Sequence, residues 1–109
     1  MDQNIENIVG ELIEAVKSTE SYQEYKKQQE KVVGHQDVID KINEIRALNL
    51  KIQSINNAEL AYDEQDKLEQ RFDELSEDQR VFDFMEAENK FIGMYQEIYR
   101  HIMEEMQVI

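Results

Sequence analysis

Not one of the 109 residues is proline, and only three are glycine. Proline is the strongest helix breaker, and both residues furnish tight turns. A β-sandwich or barrel of this length needs many such turns, so the chain has little material for one. Apolar residues instead recur at steps of three and four nearly from end to end, which is the period of an amphipathic helix. The pattern predicts an all-α chain, one domain over residues 1–109. It should be an antiparallel bundle of four to five helices with a long C-terminal helix.

The helices can be placed individually. Ile5, Ile8, Val9, Leu12, Ala15 and Val16 draw a stripe on a first helix over about 4–17. Gly10 lies within it and costs on the order of 1 kcal/mol against alanine, so it marks a close helix contact. Ser18 and Thr19 suit an N-cap. A second helix over about 20–33 has a thin apolar face of Tyr22, Tyr25, Val32 and Val33, with Gly34 placed for a left-handed C-terminal cap. Asp37 can cap a third helix over about 38–55, with Val38, Ile42, Ile45, Leu48, Ile52 and Ile55 inward. Asp37 and Lys41 sit as a favourable i,i+4 pair. Ile39, Ala47 and Leu50 fall off that stripe, so a second buried face is expected. Asn56-Asn57 reads as a stop. A fourth helix over about 63–75 turns Leu68, Phe72 and Leu75 inward, and Ser76-Glu77-Asp78-Gln79 reads as a capping box opening the fifth helix.

That last helix should run from Glu77 nearly to Ile109. Some thirty residues at about 1.5 Å each give roughly 45 Å, against a radius of gyration of about 13 Å for a compact chain of this size. The helix should overhang its own subunit, or kink at Gly93. It carries more than one apolar stripe, so the overhang needs cover from another chain. Phe84, Phe91, Tyr95, Ile98, Tyr99, Ile102, Met103 and Met106 are the expected interface residues, because aromatics and methionine are enriched where chains meet. The same residues could equally form ordinary core.

Most chemistries are excluded by composition. Without cysteine there is no disulfide, thiolate zinc site, cysteine-ligated cluster or thiol nucleophile. No Gly-x-Ser-x-Gly elbow and no glycine-rich phosphate loop occur. The acidic run Asp63-Glu64-Gln65-Asp66-Lys67 lacks the glycine of a calcium loop. Neither His35 nor His101 has the Glu-x-x-His spacing of a di-iron bundle. Glu97, His101 and Glu104 share a helix face and could hold one divalent ion, but read better as a solvated cluster. Glu88, among Phe84, Phe91 and Ile92, is a candidate buried carboxylate with either a catalytic or a structural role. The expectation is no enzyme, no cofactor and no metal.

A net charge of −13 repels phosphate backbones and anionic lipid faces. Lys26, Lys27 and Lys31 lie beside Glu24 and Glu30 and read as a solvated face. No stretch approaches the roughly 20 apolar residues of a membrane span, and the start lacks the basic and apolar runs of a signal peptide. A cytoplasmic protein that binds neither nucleic acid nor membrane directly is expected. It should form a homo-oligomer, dimer or higher, and bind a protein partner. A structural coiled-coil or chaperone-like chain is the alternative, and a metal enzyme centred on Glu97 and His101 is a second.

Several segments resemble the YlbF/YmcA family of small helical bacterial regulators. They are the N-terminal amphipathic helix, Ser18-Thr19-Glu20-Ser21-Tyr22-Gln23-Glu24-Tyr25, the break at Gly34-His35-Gln36-Asp37, and Ile42-Asn43-Glu44-Ile45. Val81-Phe82-Asp83-Phe84-Met85-Glu86-Ala87-Glu88, followed by apolar positions through Ile98 and Ile102, completes the match, about residues 4–106. The resemblance implies an oligomeric helical bundle associated with competence, sporulation and biofilm development. It also implies a part in complexes that adjust the cleavage choices of an endoribonuclease. Some such complexes hold iron–sulfur clusters through cysteines; this chain has none, so that role is not carried over.

Overall fold

A computed structural model describes residues 1–55 and 62–107. Among these, five helices and no strands are found: α1 (Gln3–Lys17), α2 (Glu20–Val32), α3 (Gln36–Ile55), α4 (Tyr62–Ser76) and α5 (Gln79–Glu105). The stop expected at Asn56-Asn57 lies outside the described residues, as do the side chain of Ile55 and residue Ile109. The chain forms two compact units, Gln29–Glu86 and Met1–Gln28 with Ala87–Ile109.

The helix ends show local chemistry at work. Asp2 caps α1 by accepting from the Asn4 and Ile5 amides at 2.8 and 3.2 Å. Thr19 caps α2, its Oγ1 accepting from the Tyr22 amide at 3.2 Å. Gly34 takes φ +85°, the left-handed turn that ends α2 and that a Cβ would disfavour. The capping box expected at Ser76 is not used. Ser76 stays in the last turn of α4, its hydroxyl donating to the Phe72 carbonyl at 2.9 Å. Asp78 caps α5 instead, accepting from the Arg80 amide at 3.1 Å.

In the Gln29–Glu86 unit, α3 packs against α4. Val38, Ile42, Ile45 and Leu48 form the buried face of α3, joined in the core by Val32, Leu75, Val81, Phe84 and Met85. Val38, Ile45 and Val81 are fully enclosed. The second buried face expected on α3 is not completed: Ile39 is half-buried, but Ala47 and Leu50 are exposed. The expected Asp37–Lys41 pair is also replaced. Lys41 reaches Asp78 at 3.1 Å, while Asp37 meets Arg80 at 3.3 Å. Contacts to a different element displace the i,i+4 partner because Asp78 is the better-sheltered carboxylate.

Two charge-assisted contacts fasten this unit. Arg71 on α4 presents Nε and Nη2 to the two carboxylate oxygens of Glu44 on α3, at 2.8 and 3.0 Å, a bidentate fork. The hydrogen bond from Arg71 lowers the Glu44 carboxyl from its ordinary range. Asp78 accepts from Arg80 Nη2 at 2.9 Å and Lys41 Nζ at 3.1 Å. Those donors, Arg80 foremost, hold its carboxyl well below the usual carboxylate range.

A depressed folded-state pKa stabilises above the unfolded value and is lost as pH falls toward the folded one. Denaturant titrations should therefore show stability falling as pH drops below about 4. Asp78→Asn should lower stability at neutral pH and flatten that acid limb. An unchanged limb in Asp78→Asn would show that Asp78 does not carry the acid sensitivity.

Candidate interaction surface

The second unit contains α1, the first nine residues of α2 and α5 from Ala87 onward. Its order comes from an aromatic cluster. Phe91 stacks on Tyr25 with ring centroids 5.1 Å apart and planes 12° apart, leans on Tyr22 at 5.9 Å, and meets the edge of Tyr95 at 5.4 Å. These spacings are those of favourable aromatic pairs. Beside them Glu88 is buried and accepts from the Tyr25 hydroxyl at 3.4 Å. Ser21 Oγ approaches Met94 Sδ at 3.5 Å. Tyr22 and Tyr25 thus pack α2 on α5. The buried Gln28 is satisfied by Glu24, to whose Oε1 it donates at 2.9 Å.

Of the eight expected interface residues, Phe84 stands apart. It is 4% exposed, in the core of the other unit, with the Arg46 guanidinium 5.6 Å over its ring. Phe91, Ile98 and Met103 are half-buried. Tyr95, Tyr99, Ile102 and Met106 are exposed, and Ile92, which the expectation omitted, joins them. Ile92, Tyr95, Tyr99, Ile102 and Met106 are 42% to 68% exposed. They follow one another in steps of three, four, three and four, the spacing of a coiled-coil seam. The same seam runs back through Glu88, Met85 and Val81, which are all buried. One stripe on α5 is therefore covered over its first half and open over its second. The helix continues through Gly93 without interruption.

The larger surprise is α1. Its apolar stripe forms as expected, yet α1 holds no buried residue. Ile5, Ile8, Val9, Leu12 and Ile13 are between 36% and 55% exposed. Gly10 has nothing within 4 Å of where a Cβ would stand, so the close helix contact expected there is absent. Periodicity reports that a face is apolar; it does not say which chain covers it. The two open stripes meet at a shallow depression, whose apolar floor is Leu12, Met94, Ile98 and Ile102. Glu97, Arg100, His101 and Glu104 rim it. The acid–histidine cluster noted in the sequence is thus a rim of this groove, with Arg100 3.9 Å from Glu104.

Phe91 anchors α2 to this unit, so its removal has a definite cost. Phe91→Ala should destabilise by about 2–3 kcal/mol, less than the roughly 3–5 of a fully buried phenylalanine, and lower Tm by on the order of 10 °C. Thermal unfolding followed by circular dichroism checks this, and a shift of only 1–2 °C would contradict the anchoring role.

Among the described residues no helix is long and apolar enough to cross a membrane. No curated protein and no solved structure matches the chain. A family model does, over residues 5–107, and its description is control of competence regulator ComK, YlbF/YmcA. The match spans nearly the whole sequence and includes α1, the aromatic cluster and the open half of α5. The chain belongs to the YlbF/YmcA family, a regulatory family of competence control.

Proposed function

We propose that this protein is a non-catalytic regulatory adaptor of the cytoplasm. It self-associates through α1 and the open half of α5, and its acidic surface meets a protein partner. One observation carries this: two apolar stripes, on α1 and α5, are exposed side by side in the isolated subunit. An apolar surface of that extent, rimmed by polar groups, marks a binding site for protein. The net charge of −13 disfavours a nucleic-acid ligand. Family membership supports a role in competence control. By resemblance it extends to sporulation, biofilm development and the adjustment of endoribonuclease cleavage, with the chain acting through protein contacts and not on RNA directly.

Light scattering at tens of micromolar should give a mass of at least two chains. Tyr99→Glu places a charge in the open seam without touching the Phe91 cluster, and should move the mass toward that of one chain while helicity is kept. A strict monomer for the unaltered chain would overturn the oligomer. Co-purification from the native host should retain one or two defined proteins. Retention of none, or of many without preference, would favour a structural or chaperone-like coiled coil.

A further inference from the structure

We infer that the open seam of α5 is a self-complementary, antiparallel coiled-coil surface whose occupant is the same seam of a second copy of this chain. This rests on the self-association proposed above and specifies its register.

Three observations select a second copy. The first is area. A half-exposed side chain of this size leaves about 100 Å² open, so the ten exposed residues of the two stripes, five on each, leave on the order of 1,000 Å². That exceeds the roughly 300–600 Å² patch of an ordinary monomer and matches the about 800 Å² each chain contributes to a stable interface.

The second is the order of side chains along the seam. In a coiled coil, Ile92, Tyr99 and Met106 take one core position, and Tyr95 and Ile102 the other. Antiparallel pairing sets one core position against the other. The register that places Tyr99 against the copy's Ile102 also places Tyr95 against the copy's Met106, and symmetry repeats both contacts. Each tyrosine then meets a smaller or more flexible side chain, so large and small alternate across the interface. A parallel pair would set Tyr95 on Tyr95 and Tyr99 on Tyr99.

The third is charge. A seam built for a basic helix carries carboxylates on its flanks, because the flanking positions set partner choice. Here those positions are Phe91, Gln96, Ile98, Met103 and Glu105, with a single charge among five. In the antiparallel register Glu105 lies near the copy's Ile98, so no two carboxylates oppose each other. Two chains of −13 can therefore approach along a strip where neither presents a line of acids. The stripe of α1 adjoins this seam at the Leu12–Ile102 groove, and the self-association proposed above covers it as well.

The chain has no cysteine, so introduced thiols report pairing directly. The test mixes full-length chains bearing Tyr95→Cys with chains bearing Met106→Cys under mild oxidation, and reads disulfide-linked dimer on a non-reducing gel. Circular dichroism confirms that both variants keep their helices, which exposed positions permit. Alone, each variant places its thiols about 16 Å apart along the axis, beyond the about 4.4–6.8 Å Cα separation of a disulfide. The mixture should yield at least ten-fold more linked dimer than either variant alone. Linking of Tyr95→Cys with itself would establish a parallel pair and overturn the register. No linking in any mixture, while scattering still shows a dimer, would overturn the seam as the interface and leave self-association standing. A monomer by scattering would overturn both.

Discussion

A helix hides an apolar stripe only over the length along which a neighbour runs beside it. In α5 that condition holds at Val81, Met85 and Glu88 and lapses at Ile92, after which every member of the stripe is open to solvent. At 27 residues α5 is about 40 Å long. The neighbours available to its second half are α1 and the start of α2, and they cover a different face of it. The aromatic cluster of Tyr22, Tyr25 and Phe91 uses that face, and Tyr95 meets its edge from the seam. The adjoining seam is left over, and α1 brings a second uncovered stripe to its edge. Nothing else about the described residues points so directly at another chain.

The Gln29–Glu86 unit shows the opposite economy. Among its described residues Val38, Ile45 and Val81 are enclosed, and its polar contacts cross between elements, Arg71 to Glu44 and Lys41 to Asp78. The open apolar stripes are on α1 and on α5 beyond Ala87, in the other unit, whereas the exposed Val33, Leu50 and Phe82 of this unit are scattered singly along the chain.

Helix count and order, the glycine turn at Gly34 and the Thr19 cap are legible in the sequence, because each depends on residues within one or two turns. The misplaced features depend on distant partners. Ser76 has the side chain for a cap, but Asp78 takes the role with Arg80 and Lys41 gathered around it. Asp37 and Lys41 are spaced as a pair, yet each finds a charge elsewhere. The Asp2 cap was visible as an aspartate just before an apolar stripe and was passed over. Phe84 and Tyr99 look alike in sequence and differ in burial because only Phe84 lies where the chain's own core reaches. Period shows that one face of α1 is apolar; its exposure is visible only in the coordinates.

The central claim is that the open faces of α1 and α5 are hidden in the associated protein. Amide hydrogen exchange along α1, followed as a function of protein concentration, tests it most directly. A helix with no buried residue in its own subunit should exchange within the range of fraying termini unless another chain covers it. The account predicts strong protection of residues 5–16 at concentrations where the chain is associated, falling as the sample is diluted. Rapid exchange of these amides at every concentration would contradict it.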